Sequence, residues 1–174
     1  FLDSCVSQLT KEGIKTIALQ GGYLTIKQDP IPTTPFTPLG TSLEIIPNSG
    51  LNSAVWFREK GNGIQELNVP TIEEMEQQLS FYLEENFGAC VNNLTIFDQQ
   101  GIITSASGIP KAKADITKNK VTAKVDFIVN VLISGTEFKL DEHTADIDSK
   151  LGILYEMSKE ILNSENAQFF LENK

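Results

Sequence analysis

Residues 121–133 alternate without a break. Val121, Ala123, Val125, Phe127, Val129, Val131 and Ile133 fall on every second position. In an extended chain successive side chains point to opposite faces, so this spacing predicts a long strand with one apolar face on a core throughout. Its other face begins polar (Thr122, Lys124, Asp126) and ends mixed (Ile128, Asn130, Leu132). The far end of that second face is therefore expected to be covered too. Such a strand needs partners. Residues 94–97, 102–106 and 112–116 are the candidates before it, the last setting Ala112, Ala114 and Ile116 against Lys111, Lys113 and Asp115. Residues 117–120 turn into the long strand, and Ser134-Gly135 turns out of it towards a strand over 136–140. Consecutive strands linked by turns indicate an antiparallel meander.

A helix suited to cover this sheet is written into residues 70–88. Pro70 ends what precedes it. Thr71 and Glu74 have the spacing of a capping box. Glu73, Glu74 and Glu76 crowd the first turn, where the helix dipole favours negative charge. Ile72, Met75, Leu79, Tyr82, Leu83 and Phe87 recur at helical spacing, and Gly88 is expected to close the helix in a left-handed cap. Residues 1–19 read as a second amphipathic helix, with Leu2, Cys5, Val6, Leu9, Gly13 and Ile17 on one side. Gly13 costs about 1 kcal/mol relative to Ala, which is tolerable where another element packs close. Gly21-Gly22 ends it, and a short strand is expected over 23–27. A closing helix is expected from Asp146 or Asp148 to Asn163, with Ile147, Leu151, Leu154, Ile161 and Leu162 on its apolar side. Phe169 and Phe170 then belong to a packed tail or an interaction stub.

Between the first two helices, Pro30, Pro32, Pro35 and Pro38 exclude helix and central strand, so residues 29–40 read as an extended connector. Two PxxP spellings occur there, but no basic residue flanks them to orient a partner. Residues 43–46, 54–58 and 64–69 are short strand candidates, with Gly61-Asn62-Gly63 as a hairpin turn. Trp56 and Phe57, being adjacent, would face opposite ways in a strand. These readings amount to an α+β domain over residues 1–174: an antiparallel sheet with N-terminal, central and C-terminal helices on one face. Residues 28–69 form its proline-rich loop and short strands, and 70–165 its central helix, sheet and closing helix.

Cys5 and Cys90 are the chain's two cysteines. Cys5 lies on the apolar side of the first helix, and Cys90 follows the expected end of the central one. We read them as a disulfide staple between the two helices, the alternative being two free buried thiols. In the chain-entropy account a bridge over so long a loop stabilises by about 4–5 kcal/mol. Asn93-Leu94-Thr95 is an N-glycosylation sequon. Bridge and sequon both point to an oxidising, extracytoplasmic compartment.

The formal charge of −9 and the single arginine, Arg58, count against nucleic-acid binding and against docking to anionic lipid. No apolar run approaches the roughly 18–20 residues that span a bilayer, and no leader pattern is visible. Because the chain starts at Phe1 without Met, a processed product with sequence upstream is expected. His143 is the sole histidine, so no multi-histidine metal site is available within one chain. Asp141, Glu142, His143, Asp146 and Asp148 cluster, but without EF-hand spelling, and read as a solvated turn and helix N-cap. No serine sits in a nucleophile elbow, and Gly61-Asn62-Gly63 lacks the rest of a phosphate cradle. Glu73-Glu74 and Glu84-Glu85 read as exposed helix faces. No residue is assigned a catalytic, cofactor-binding or metal-binding role, and no cofactor is expected.

Taken together, Cys5 in an N-terminal helix, Leu19-Gln20-Gly21-Gly22-Tyr23, the Pro70-Thr71-Ile72-Glu73-Glu74-Met75 helix ending near Cys90, and Leu151-Gly152-Ile153-Leu154-Tyr155 resemble a group of uncharacterised archaeal membrane-anchored envelope proteins from small-genome lineages. The resemblance covers residues 1–27 and 70–165. It implies an ectodomain tethered outside the membrane by a helix upstream of the first cysteine, with Cys5 and Cys90 paired. It supplies no catalytic residues. The expected role is non-enzymatic: structural or recognition work in assembly at the cell surface, with a protein partner or through self-assembly. A small-molecule or lipid binding module, with a pocket between sheet and helices, is the alternative.

Overall fold

The computed structural model describes residues 1–26, 41–59, 63–92, 94, 96–97 and 101–168. The described chain runs α1 (Leu2–Leu19), β1 (Ser42–Glu44), β2 (Asn52–Ala54), β3 (Phe57–Glu59), β4 (Gln65–Leu67), α2 (Ile72–Asn92), β5 (Ile102–Ile116), β6 (Lys120–Ile133), β7 (Thr136–Asp148) and α3 (Leu151–Gln168). The fold is α+β. Strands β5, β6 and β7 form an antiparallel meander, while β1–β2 and β3–β4 are separate antiparallel ribbons. The proline-rich segment 29–40 and the expected turn at Gly61-Asn62 lie outside the described residues.

The long alternating strand is β6, and it sits in the centre of the sheet. Val121, Ala123, Val125, Phe127 and Val129 are buried beneath α1 and α2. Helix α2 begins with the expected capping box. The Glu74 N–H donates to Thr71 Oγ1 at 3.1 Å, and the Thr71 N–H donates to a Glu74 carboxylate oxygen at 2.8 Å. Met75, Leu79, Leu83, Phe87 and Cys90 form its buried stripe. Gly13 is where α1 meets α2: a Cβ there would collide with the Leu79 side chain. The helix-propensity cost of Gly13 is thus offset by close approach of the two axes. The bridge is formed. Cys5 and Cys90 are disulfide-bonded with Cα atoms 6.0 Å apart, inside the usual range. It joins the first turns of α1 to the last turn of α2.

A row of α2 side chains serves the edge of the sheet. Glu76, Ser80 and Glu84 lie four residues apart. They accept from the backbone N–H groups of Ile116 (2.8 Å), Ala114 (2.9 Å) and Ala112 (3.0 Å). These donors point away from β6, so the row shields half of an edge strand that would otherwise present unpaired backbone. Beyond it the row lapses: Gly88 has no side chain, and Pro110 has no N–H to offer.

Several expectations are corrected. Gly88 does not cap α2. The helix continues to Asn92, because Phe87, Cys90 and Leu94 extend the buried stripe at spacings of three and four. Leu94, Ile96 and Phe97 consequently lie in 3₁₀-type turns rather than a strand. Residues 102–106 and 112–116 are one strand, kinked by a register shift between Ser107 and Lys111. Residues 141–148 are not a solvated turn and N-cap but the second half of β7, with His143 and Ala145 buried opposite Val125 and Ala123. Residues 23–26 bend instead of forming a strand, since the Leu24 N–H is taken by the Gln78 side chain at 2.9 Å. The expected strand over 54–58 breaks between β2 and β3, where Trp56 turns to donate its indole N–H to the Gly21 carbonyl at 2.7 Å.

Helix α3 is held at its first turn. Gly152 lies flat against the β5–β6 turn, where a Cβ would strike Thr117 and Lys118 backbone, and Tyr155 packs edge-on to Trp56. Of its expected apolar side, Leu151 is buried, Leu162 is partly buried and Ile147 belongs to β7, while Leu154 and Ile161 are about half exposed, as is Met157. The far end of β6 is uncovered as well, contrary to the sequence pattern. On one face Val131 is only partly buried and Ile133 is exposed; on the other Ile128 and Leu132 are each 37% exposed. The strands outrun the helices.

Candidate functional site

The uncovered end of the sheet carries an apolar concavity. On the face shared with α1, the outrunning strands form the floor of an apolar groove of about 280 Å³. Val131 and Ile133 of β6, Ile102 of β5 and Leu140 of β7 line it, and Phe1 and Phe97 stand over it edge-to-face with ring centroids 5.5 Å apart. Three features of sequence produce it. The alternation of β6 continues for two apolar residues past the helices. The β6–β7 hairpin closes with Ser134 and Gly135 at φ 49° and 82°, a two-residue turn that matches strand twist. The bulge after Ser107 lets β5 keep company with β6 to Ile102.

His143 and Asp3 close the inner end of the groove. His143 is 3% exposed and stacks on Phe87 with centroids 5.6 Å apart. Its Nε2 lies 3.1 Å from the Phe127 carbonyl. A carbonyl can only accept, so the proton is on Nε2. Nδ1 faces Asp3 Oδ1 at 4.0 Å, beyond hydrogen-bond length. Asp3 instead accepts from the Thr144 backbone N–H at 3.0 Å, which pins the start of α1 to the edge of β7. This imidazole packs on Phe87 with its Nε2–H committed to backbone. Of its expected acidic neighbours, Glu142 pairs with Lys124 at 2.6 Å and Asp146 with Lys120 at 2.7 Å on the opposite face of the sheet. The alternation of a strand therefore separates His143 from the carboxylates that sequence had grouped with it. No three metal-ligating side chains converge among the described residues.

The remaining electrostatics are structural. The Lys120 and Thr122 hydrogen bonds hold the Asp146 carboxyl below its ordinary value. Lys124 is held above its own by hydrogen bonds to Glu142 and Asp126. Burial, then Glu12, pushes the Tyr82 phenol up, and burial, then Glu74, does the same for Tyr23. Arg58, the single arginine, is paired to Glu66 at 2.7 Å.

Of the residues singled out from sequence, Cys5 and Cys90 meet as expected. Asn93 lies outside the described residues. Sequence reasoning missed Phe138 and Leu140 as exposed apolar residues at the open end, and missed the Glu76, Ser80, Glu84 row. Their spacing of four was visible as a polar line on α2, but the strand it serves was not. Set against protein-family models, curated proteins and solved structures, the chain matches none.

Proposed function

We propose that this chain is a non-enzymatic extracytoplasmic domain of a membrane-anchored cell-envelope protein, with a structural or recognition role in surface assembly. The observation that carries the reading is the Cys5–Cys90 bridge, which spans 85 residues of sequence and is the kind of cross-link that persists where the compartment is oxidising. The resemblance to anchored envelope proteins and the sequon at Asn93 support the same location. A bridge at the start of α1 suits an anchor upstream of Phe1, because load arriving along the chain passes directly into α2. The open apolar end of the sheet is a natural surface for a partner. In cells that make the protein, it should sit in the membrane fraction, be cut by protease added outside, and keep its bridge when lysed under alkylating conditions. Pull-down from the envelope should return protein partners. A cytosolic pool with two alkylated thiols would refute the reading.

The groove favours one second reading, a small-molecule or lipid binding module, since its volume approaches the lower end of ligand sites. Saturable binding of a fluorescent apolar probe, competed by a fatty acid and weakened by Val131→Lys, supports it. A probe that fails to saturate removes it.

A further inference from the structure

The three-stranded sheet has two edges, β5 and β7, and each is shielded only where a helix lies beside it. At β5 the shield is the α2 row described above. At β7 it is Asp3 on the Thr144 N–H. Past Leu140 towards the hairpin no described residue pairs with the outer side of β7. Which backbone groups face outward follows from the turn. Ile133 and Thr136 flank a two-residue loop and exchange hydrogen bonds. Alternation then turns the N–H and C=O groups of Phe138 and Leu140 towards β6, and those of Glu137 and Lys139 outward. The regular stretch of this edge is 136–140, since the register shifts beyond Leu140, and its midpoint is Phe138. That side chain is 51% exposed and Leu140 is 46% exposed.

We propose that the 136–140 edge pairs with the same edge of a second copy of this chain, antiparallel and centred on Phe138. The charges on the edge select both the partner and the register. Centred on Phe138, each Glu137 lies opposite Lys139 of the other copy, and their outward backbone groups meet as hydrogen-bonded pairs. Phe138 meets Phe138 across the axis in the closer, non-hydrogen-bonded position, with Cα atoms about 4.5 Å apart. Slipping the centre to residue 137 sets Glu against Glu, and slipping it to 139 sets Lys against Lys; like charges directly opposite are destabilising. A foreign strand would need this pattern supplied, whereas a second copy carries it. The β5 edge over 102–106 has no charge and specifies no register. The pair is isologous and closes on itself, and it joins the apolar grooves of two copies along one continuous sheet.

This deepens the assembly reading, and the two fail separately. Sedimentation of the purified chain decides the pairing in whatever compartment the protein works, and cell fractionation decides the compartment whatever the oligomer. The wild-type chain is expected to dimerise reversibly. Glu137→Lys or Lys139→Glu alone should weaken the dimer by about tenfold or more, and the two together should restore it, because the swapped charges again face each other. Lys139 lies 3.4 Å from Asp141 within the single chain, but both side chains are exposed and such a surface pair contributes little, so all four proteins should melt within a degree or two of one another. With Cys5 and Cys90 bridged, Phe138→Cys introduces an unpaired thiol at the axis. It should form a covalent dimer in air far faster than Ile109→Cys, which places a thiol at a 79% exposed position on β5. A chain still monomeric at about 1 mM, a dimer indifferent to the single reversals, or equal cross-linking at 138 and 109 overturns the proposal.

Discussion

Replacing both Cys5 and Cys90 with Ala tests the staple by magnitude. The bridge spans 85 residues, and closing a loop of that length removes about 15 cal/mol/K from the unfolded chain. That amounts to about 4.6 kcal/mol at 25 °C in the chain-entropy account. For a chain of 174 residues, each kcal/mol moves Tm by about 2–4 °C, so the bridge should be worth about 9–18 °C. Two routes separate tethering from packing. Reduction with a phosphine leaves both sulfurs in place and removes only the tether. The double Ala variant also removes side-chain volume at Cys90, which is fully buried, and should melt a few degrees lower again. Both forms should show a larger denaturant m-value, because the untethered unfolded chain exposes more surface. Calorimetry and urea titration on the same samples give the numbers. A fall in Tm of less than about 3 °C with an unchanged m-value would show that the loop is already restrained without the bridge, and the reasoning would fall.

Further expectations are narrower. Val129→Asp puts an unpaired carboxylate under α1 and α2 and should abolish cooperative melting; a soluble variant with unchanged Tm contradicts the assigned core face. Gly13→Val drives a side chain into Leu79 and should cost about 2–3 kcal/mol, readable by urea titration, whereas Gly88→Ala, with open space around it, should be neutral or stabilising. Glu76→Ala and Glu84→Ala each remove a carboxylate from an edge N–H and should cost about 1–2 kcal/mol, with faster hydrogen exchange at Ile116 and Ala112 respectively. Burial, then neighbouring acids, raises the Tyr23 and Tyr82 phenols. The folded chain thus holds those protons above pH 10 while the unfolded chain releases them, and stability should fall as pH rises past the ordinary tyrosine value. Tyr82→Phe should flatten that fall in a Tm-against-pH series.

Patterns that depend on one element were legible. The alternation of β6, the capping box of α2 and the stripe of α1 needed only local spacing. The pairing of Cys5 with Cys90 joins two elements, but it needed only an inventory of two cysteines. Other patterns that depend on two elements misled. Gly88 carried a stop signal, but buried contacts at Cys90 and Leu94 outweigh a glycine's cost in a helix. The acidic run around His143 looked solvated because its charges dominate the composition. Period two nonetheless runs through His143, Ala145 and Ile147, and that was the signal to follow. The open end of the sheet was illegible for a different reason: Ile128 and Leu132 imply a cover, and sequence does not say whether this chain or another supplies it.

The helix row along β5 behaves as a vernier. A helix advances about 6.0 Å in four residues, and an antiparallel strand about 6.8 Å in two. Each step along the pair therefore adds an offset of about 0.8 Å. Set from the middle, the first step either way is within reach of a long side chain. The next is about 1.6 Å out on that side, over half a hydrogen-bond length. The residues follow this arithmetic. Ser80, the shortest, is the middle member of the row, and the longer Glu76 and Glu84 stand at its ends, with the reach to absorb a mismatch. The following graduation on each scale carries Gly88 and Pro110, neither of which has anything to contribute. The shielded length of this edge ends where Gly88 and Pro110 leave it, and the growing offset between the two pitches works against carrying it further. Wherever the chain needs β5 to be longer than the vernier, it must leave backbone exposed or find something else to cover it.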